Sequence, residues 1–369
     1  MTSSAFDLVR VPAFVDIHVH FRDPGFPEKE DMASGSRAAA AGGYRAVCMM
    51  PNTRPAIDSP SALLALDRRA RDLRDETGVL LFAASAMTLS QDGSGLVDFD
   101  AMDATETLCL SLTGHGVCGI SEDGKTLKDM ALMENVCAAA AKLGLPVMDH
   151  AEPEVEMVRR DIELAERTGA HFHIQHVSLA KSVELLREAK VVGVPVTCET
   201  APHYFTLTSD DVRAARQGAN AKMNPPLRTK EDRIAIIEGL ADGTIDCIAT
   251  DHAPHEKAVK ELPYDEAANG IIGLETAFPV AYTELVKNGP LSIEDLIRLM
   301  STVPAEIAGL ASSSDDYVEL DLETPWEIDA KAFLSKGRNT PFDGMSVYGR
   351  VIRTVLSGRV VYEARGRQE

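Results

Sequence analysis

The amino-acid sequence predicts an α/β fold: a TIM-like (β/α)8 barrel with a small β-sandwich-like subdomain formed by the chain termini. Three observations lead to this prediction. Eight short apolar segments alternate with amphipathic stretches, Gly or Pro residues precede several of these segments, and a Val-rich pattern of another kind begins after about Leu310. We therefore expect the barrel over residues 13–304 and the subdomain over residues 1–12 and 305–369.

The apolar segments define the predicted barrel strands in chain order. They read AFVDIH, RAVCMM, VLLFAAS, GVCGI, PVMDH, HFHIQH, PVTCET and IDCIAT, and helical runs such as 61–75 and 129–143 separate them. An open doubly wound sheet would also alternate strands with helices. However, no G-x-G-x-x-G follows the first strand, and polar residues collect at the strand ends. The closed barrel is therefore favoured over the open sheet.

The closing part of the chain has the pattern of antiparallel strands. A polar loop at 312–316 precedes YVELDL and two Val-rich runs at 345–356 and 358–362. The first dozen residues are too few for a sheet of their own but could add one strand. We therefore expect the two ends of the chain to meet in the subdomain.

The charge balance narrows the range of partners. The chain has 37 Lys and Arg against 57 Asp and Glu, a net charge of -20. Such a surface repels a phosphate backbone, so no nucleic acid is expected, and an anionic substrate would need Arg or His in a local cleft. No stretch approaches the roughly 20 apolar residues that cross a bilayer, and no leader-like segment opens the chain. We expect a cytoplasmic protein that does not bind a membrane.

The six cysteines show neither metal-binding nor redox spacing. None forms a C-x-x-C pair, and four lie in apolar, strand-like runs. We expect buried free thiols at all six positions, namely Cys48, Cys109, Cys118, Cys137, Cys198 and Cys247.

Residues with metal-ligand chemistry stand at the ends of five predicted strands. His18 and His20 end the first strand, and residues two apart in an extended segment point the same way. A lone H-x-H pair is weak evidence, but other strand ends carry Asp123, His150, His176 and Asp251. Barrels place catalytic groups at this end, and nitrogen and carboxylate ligands without thiolate fit catalytic zinc.

The segment HFHIQH contains three histidines, which alternation divides between two faces. Phe172, Ile174 and His176 would face the barrel interior, whereas His171 and His173 would face the helices. We therefore expect His176 in the site and a structural role for the other two.

Several motifs together resemble the dihydroorotases of the amidohydrolase superfamily. They are VDIHVHFRDPGFPEKED, MMPNTRPAID, MDHAEP, HIQHVS, KMNPPLR and ATDHAPH, and the likeness runs from Pro12 to the closing NTPFDGMSVYGRV. The H-x-H pair alone would not separate this family from hydantoinases or allantoinases. Arg22, two residues after the second histidine, favours the dihydroorotases.

The resemblance implies an activity and its residues. The activity is the reversible hydrolysis of (S)-dihydroorotate to N-carbamoyl-L-aspartate in de novo pyrimidine (UMP) biosynthesis, by hydroxide that a metal ion activates. Metal would bind to the four histidines and to Asp251, which is also the candidate proton shuttle, although ligation alone stays open for it. The substrate carboxylate would bind to Arg22, Asn52 and His255, with weaker assignments for Asn224 and Gly273.

Two of these residues also have an interpretation without a functional role. Arg22 offers a planar fork that suits a carboxylate, but alone it would more often form a surface ion pair with Asp23 or Glu28. His255 alone would be a solvated loop histidine. Their occurrence beside a complete set of metal-ligand types favours the substrate site in both cases.

Two features depart from the family pattern. Many relatives bridge two metals with a carboxylated lysine, but residues 116–121 contain no lysine, and Asp123 in SEDG resembles the branch in which aspartate takes this place. An Asp-Gly turn is the alternative for Asp123, so one or two Zn2+ ions per chain stay open. An insertion that relatives carry after the His150 segment is also absent, which could alter access to the pocket or the partner surface.

Two other functions remain as alternatives. A hydantoinase or allantoinase would share the metal chemistry but hold the ring substituent differently. A non-catalytic barrel could instead serve as the structural partner of an aspartate transcarbamoylase, and such a protein would not need metal ligands. A homo-oligomer is compatible with each of these functions.

Overall fold

A computed structural model of the chain describes residues 8–213 and 218–364. Its strands, numbered along the chain, are β1 (Val9–Pro12), β2 (Phe14–Val19), β3 (Tyr44–Met49), β4 (Leu80–Ala83), β5 (Ser85–Ala86), β6 (Ile120–Ser121), β7 (Val147–Asp149), β8 (Phe172–Ile174), β9 (Val196–Thr200), β10 (Cys247–Ile248), β11 (Tyr317–Asp321), β12 (Trp326–Glu327), β13 (Ser346–Val347), β14 (Arg350–Leu356) and β15 (Arg359–Glu363).

Strands β2 to β10 form the predicted closed barrel. Neighbours pair in parallel in the orders β2-β3-β4 and β5-β6-β7-β8-β9-β10, and only Ala84 separates β4 from β5, so these two act as the third barrel strand. A parallel bridge between Val19 and His252 closes the ring, supported by a hydrogen bond of 2.8 Å from His20 N to His252 O. The predicted (β/α)8 barrel is therefore confirmed.

The helices fill the connections between the barrel strands. They are α1 (Met32–Ala41), α2 (Pro60–Thr77), α3 (Phe99–Asp103), α4 (Leu108–Thr113), α5 (Met130–Leu143), α6 (Glu154–Thr168), α7 (Ala180–Val191), α8 (Pro202–Thr206), α9 (Ser209–Arg213), α10 (Lys230–Asp242), α11 (Lys257–Lys260), α12 (Ala277–Ala281), α13 (Ile293–Ile297) and α14 (Val303–Ile307). Short 3-10 or π turns occupy Leu89–Gln91, Gly218–Ala221, Tyr282–Lys287, Arg298–Thr302 and Ala330–Ala332.

Local sequence signals explain where the long helices begin and end. The side chains of Ser59 and Asp129 accept hydrogen bonds from the first turns of α2 and α5, which satisfies otherwise unpaired amides. Gly78 and Gly144 end these two helices with φ of 72° and 75°, a conformation that glycine adopts without strain. These stops turn the chain back towards the next strand.

The apolar core has two layers. Alternate strand residues such as Val47 and Val147 pack with helix residues such as Leu63 and Leu164, which places this layer between the barrel and its helices. The intervening residues, including Ala46 of β3, form a second cluster inside the barrel with α14 at its base. The two layers arise because successive side chains of a pleated strand point to opposite faces of the sheet. Polar residues occupy the barrel interior above the second cluster.

The orientation predicted for β8 is wrong. Phe172 and Ile174 pack in the layer between barrel and helices, so His173 points into the barrel, where its Nε2 lies 3.1 Å from Oε2 of Glu199. His176 still reaches the site because its φ of 37° turns the chain after the strand and breaks the alternation. Phe172 and Ile174 pack against the helices, and the alternation of the sequence does not indicate which of its two faces points into the barrel.

The prediction that all six cysteines are free is also wrong. Cys48 and Cys118 form a disulfide, with Cα atoms 6.8 Å apart inside the barrel. Cys109, Cys137, Cys198 and Cys247 are free and buried, as predicted. The pair lies 70 residues apart in sequence, so only the inward alternation of two barrel strands brings the sulfur atoms together, and the spacing gave no signal of it.

The chain ends form the predicted subdomain. β1, β11, β14 and β15 make an antiparallel sheet in that order, and β12 pairs with β13 in a separate two-stranded sheet. Thr354 Oγ1 donates to Ala40 O at 2.7 Å and so ties the sheet to α1. Residues 1–7 and 365–369 of the predicted subdomain lie outside the described residues, and the exact boundaries at 13 and 304 stay a prediction.

Within residues 8–213 and 218–364, no helix combines the length and the apolar character needed to span a bilayer.

Candidate metal centre and active site

A pocket of about 180 Å3 opens where the barrel strands end at their carboxyl termini. Nine of its lining residues belong to loops that directly follow strands or to the strand ends themselves, as barrel enzymes typically show. The lining residues are His20, Arg22, Asn52, Asp123, Gly124, His150, His176, Asn224, Asp251, Ala253, Asn269 and Gly270.

The structure brings all six predicted metal-ligand residues together, and all six are buried. Asp123 lies between the histidines: its Oδ1 is 3.2 Å from His18 Nε2 and 3.6 Å from His150 Nδ1, and its Oδ2 is 3.4 Å from His20 Nε2. On the other side, Asp251 Oδ1 is 3.0 Å from His20 Nε2 and 3.6 Å from His18 Nε2. His176 Nε2 completes the cluster, 2.7 Å from His150 Nδ1.

Unusual backbone conformations aim several of these side chains across the barrel mouth. Arg22, His176 and Asp251 have φ of 59°, 37° and 49°, values that residues with a Cβ rarely adopt and that often mark functional sites. In β2, the register against β3 shifts between Asp16 and Val19. This irregularity lets the strand pack apolar residues at its base and direct His18 into the site.

Two buried atoms of the predicted metal-ligand residues lack hydrogen-bond partners among the described residues. They are His18 Nε2 and Asp123 Oδ1, which lie 3.2 Å apart without the geometry of a hydrogen bond. Buried polar atoms are nearly always paired, so two such atoms facing one space indicate a missing ligand. A nitrogen and a carboxylate oxygen both suit a divalent cation, and the donor set therefore fits a metal site.

The electrostatics of the cluster also favour a cation. Burial alone would disfavour a charged His18, but the carboxylates of Glu199 and Asp123 outweigh it and raise the pKa of this imidazole well above its usual value. For His150, burial is likewise overcome, chiefly by the carboxylate of Asp123 3.6 Å from its Nδ1, and the pKa rises to about 10. The carboxylates thus draw positive charge into the site, and a metal ion would replace these protons.

Arg22 is oriented towards the pocket and is not neutralised by its predicted surface partners. Its Nε is buried and has no acceptor within the described part of the chain, and no ion pair joins it to Asp23 or Glu28 there. Asp23 instead accepts a hydrogen bond of 2.7 Å from Arg69 Nη1. The alternative of an Arg22–Asp23 ion pair is therefore wrong, and the guanidinium remains available to an anion.

Asn52 and Asn224 line the pocket as predicted but contact metal-ligand residues. Asn52 Oδ1 lies 3.1 Å from His20 Nδ1, and its Nδ2 donates to Asp123 Oδ2 at 3.3 Å. Asn224 Nδ2 lies 3.2 Å from His150 Nε2. Both amides therefore connect the substrate side of the pocket to the histidine cluster.

The structure does not place His255 or Gly273 on the pocket wall. His255 lines a neighbouring cavity of about 440 Å3, and its Nε2 donates to Asn269 O at 2.7 Å. A Cβ on Gly273 would lie 2.8 Å from Thr250 Cβ, so this glycine allows close packing behind the strand that leads to Asp251. Their roles as substrate contacts stay predictions.

Sequence reasoning missed the loop that completes the pocket. Asn269 and Gly270 line it, and a buried ammonium holds them: Lys260 Nζ donates to Ala268 O and to Gly270 O, both at 2.9 Å. Asn339, in the closing segment of the chain, donates to Gly270 O at 3.0 Å. The contacts of Lys260 depend on the conformation of the loop between residues 260 and 270, and Asn339 lies 69 residues from Gly270, so no periodic pattern identifies this anchor.

Comparisons with known proteins agree with the geometry. The Amidohydrolase family pattern matches residues 9–361. A dihydroorotase from Staphylococcus epidermidis is 41% identical, with 95% of this chain and 87% of the relative covered, and one from Trichlorobacter lovleyi is 41% identical, with 96% and 88% covered.

Solved structures show the same fold. The L-hydantoinase (dihydropyrimidinase) from Arthrobacter aurescens superposes with a TM-score of 0.83 at 25% identity, covering 96% of this chain and 86% of that one. The dihydropyrimidinase from Brevibacillus agri gives 0.82 at 21% identity, covering 96% and 85%. From the family match and the sequence relatives together, the chain belongs to the amidohydrolase family and, within it, to the dihydroorotases.

Proposed function

We propose that the chain catalyses the reversible hydrolysis of (S)-dihydroorotate to N-carbamoyl-L-aspartate, a step of de novo pyrimidine biosynthesis. The observation that carries this proposal is the position of Arg22. This half-buried cation lines the same pocket as five of the six residues of metal-ligand type, and its buried Nε has no hydrogen-bond acceptor among the described residues. Dihydroorotases with about 40% identity over nearly the whole chain support it. A cytoplasmic location is part of the same proposal.

We propose that the site holds two Zn2+ ions. His18, His20 and Asp251 would hold one ion and His150 and His176 the other. Asp123 would serve both, because its carboxylate lies between the two pairs of histidines, with Oδ1 near His18 and His150 and Oδ2 near His20. Bound zinc supplies Lewis-acid polarisation of the amide carbonyl and activates water near neutral pH. The absence of thiolate ligands and the exposed mouth of the pocket suit a catalytic rather than a closed structural site.

Asp251 is the better candidate for proton transfer. The side chain of Asp123 is 3% exposed and lies within 4.0 Å of all four histidines, whereas that of Asp251 is 10% exposed and, among the described histidines, lies this close to His18 and His20. We infer that a carboxylate oxygen of Asp251 accepts the proton of the attacking water and passes it to the leaving ring nitrogen as the amide C–N bond breaks. In ring closure, the same oxygen would accept the proton of the attacking nitrogen and give it to the departing hydroxide, which leaves as water.

The carboxylate of dihydroorotate would bind at Arg22. A guanidinium holds a carboxylate through two parallel hydrogen bonds, and here it also offsets the unfavourable field of a chain with net charge -20. Asn52 lies on the same wall and would add an amide donor. Hydantoin lacks this carboxylate, so a hydantoinase would have no use for a cation at this position.

Hydrolysis of dihydroorotate by the purified chain alone tests the proposal, with hydantoin and allantoin as competing substrates. We expect turnover of dihydroorotate and little of the other two. Preferential turnover of hydantoin would establish the alternative activity. A chain that binds zinc but turns over none of the three, and becomes active only with an aspartate transcarbamoylase, would establish the partner function instead.

A further inference from the structure

The imidazole of His18 is held from behind by a buried carboxylate. Its Nδ1 lies 2.5 Å from Oε1 of Glu199, and the two side chains are 0% and 1% exposed. On the opposite edge of the ring, Nε2 lies 3.2 Å from Asp123 Oδ1 and 3.6 Å from Asp251 Oδ1. The ring therefore connects an acid within the barrel, on β9, to the proposed metal site.

The contact with Glu199 determines which ring nitrogen carries the proton. A carboxylate only accepts hydrogen bonds, so Nδ1 of His18 donates, and the lone pair of a neutral ring is left on Nε2. The amide nitrogen of Gln175 also lies 3.3 Å from Nδ1, but an amide N–H cannot accept a hydrogen bond from a ring N–H. Glu199 thus selects the tautomer whose lone pair faces the pocket carboxylates.

Glu199 is itself fixed by a second histidine. Its other oxygen, Oε2, lies 3.1 Å from Nε2 of His173, and Nδ1 of His173 lies 2.9 Å from Oγ1 of Thr197. His173 is 1% exposed. A buried carboxylate with both oxygens bonded has one orientation, and this orientation is passed on to the His18 ring.

The other three histidines of the site have weaker support. Nδ1 of His20 faces the neutral amide oxygen of Asn52 at 3.1 Å, and Nε2 of His150 faces Glu152, which is 54% exposed, at 3.3 Å. His176 contacts the ring of His150. Over residues 8–213 and 218–364, His18 is the one member of the four whose ring contacts a fully buried carboxylate outside the ligand set.

We propose that Glu199 is a positioning residue for the metal centre: held by His173, it fixes the His18 ring with Nε2 directed at the ion. This inference rests on the proposed function, because it requires His18 to bind metal. A carboxylate behind a metal-ligating histidine orients the ring and strengthens the ligand, and loss of such a partner typically lowers metal affinity by about 10- to 100-fold. Glu199→Gln keeps the shape of the side chain, removes its charge and should cause a loss in that range.

The test is the zinc affinity of the metal-free chain, measured by competition with a chromophoric chelator at fixed pH. The matched control is Glu275→Gln, which removes a half-buried carboxylate away from the pocket, one that accepts hydrogen bonds from Leu334 N and Ser335 N. We expect weaker zinc binding for Glu199→Gln and wild-type affinity for the control. Wild-type affinity in Glu199→Gln would overturn the inference, whereas failure of the wild-type chain to bind zinc would count against the proposed function instead.

A second measurement does not depend on a folded variant. Long-range proton–nitrogen NMR spectra of the zinc-loaded wild-type chain report which nitrogen of each histidine carries hydrogen. We expect the proton of His18 on Nδ1, protected from exchange by the contact with Glu199. A proton on Nε2 of His18 would overturn the inference even if Glu199→Gln cannot be purified.

Discussion

The proposed metal side and the proposed carboxylate side of the pocket are built in different ways. On the metal side, the ligand residues stand at or next to strand ends, contact one another directly and are fixed by the barrel itself. On the carboxylate side, Arg22, Asn52 and the loop with Asn269 extend beyond the strands. Lys260 and Asn339 hold that loop from outside the pocket.

One barrel can therefore hold the proposed metal-ligand residues in fixed positions while the loops that would contact the substrate vary. Strand ends give the ligand residues positions that the hydrogen bonds of the sheet determine, which suits the narrow geometry that a metal ion requires. Loops can change length and sequence without disturbing the barrel, so they suit recognition of the substrate. Such a loop must be held in place by contacts of its own. Here Lys260 and Asn339 hold the loop with Asn269 by donating to Gly270 O.

The largest effect should follow from removing Asp251, the proposed proton carrier of the metal side. Asp251→Asn keeps the size of the side chain but cannot accept a proton, so we expect kcat with dihydroorotate to fall by at least about 10²- to 10⁴-fold. Steady-state kinetics and zinc analysis on the same sample give the measurement. The control is Asp246→Asn, an acid at the other end of β10 that pairs with Lys190 at 2.5 Å. Turnover of Asp251→Asn within tenfold of wild type would remove its role in proton transfer.

Removing Asp123 should break the link between the two halves of the histidine cluster. We expect Asp123→Ala to bind fewer than two zinc ions per chain, because no other described side chain lies between both histidine pairs. Elemental analysis of purified protein measures the stoichiometry. Asp103→Ala is the control, since Asp103 pairs with His115 at 3.0 Å away from the pocket. An unchanged metal content in Asp123→Ala would make this residue a turn former after all.

On the carboxylate side, Arg22→Lys should raise KM for dihydroorotate by about 10- to 100-fold. The estimate follows from the loss of hydrogen bonds to a charged group, which contribute roughly 1.5–3 kcal/mol. Lysine keeps the charge but not the planar fork. Zinc content should stay at the wild-type level, and Arg37→Lys, at a surface pair with Glu76, should leave KM unchanged. An unchanged KM in Arg22→Lys would exclude Arg22 from the substrate site.

The smallest effect should come from the loop anchor. Lys260→Met removes the donors to Ala268 O and Gly270 O, and we expect a loss of unfolding free energy of about 1–3 kcal/mol for the unpaired buried carbonyls. KM should rise less than in Arg22→Lys, with zinc affinity unchanged. Lys257→Met, whose lysine is 83% exposed, is the control for both measurements. A loss of zinc affinity in Lys260→Met would contradict the separation of the two sides.

The sequence predicted the metal side better than the carboxylate side. Strand ends can be located from apolar runs, and ligand-type residues at those ends identified all six members of the cluster. His176 lies in the cluster as expected although the predicted orientation of β8 was wrong, because the alternation of side chains along a strand does not predict the turn with positive φ that follows it. Asn269 and Lys260 were missed, since their contacts depend on loop conformations that no period describes.

Other contacts escaped prediction because they join distant segments. Glu199 stands in the apolar run PVTCET, where a charged residue is itself a signal of a buried partner, but His18 lies 181 residues away. The disulfide between Cys48 and Cys118 likewise required the barrel to be closed before the two sulfur atoms could meet. Local sequence patterns therefore predicted the helices and strands, whereas the side-chain contacts between distant strands form only when the barrel closes.

The most direct test of the proposed metal-dependent activity is the turnover of dihydroorotate by the metal-free chain, titrated with zinc. We expect no turnover without metal and an activity that rises with added zinc to a plateau at two ions per chain, because Asp123 would bridge them. Turnover that persists after complete removal of metal, or that does not respond to zinc, would contradict it.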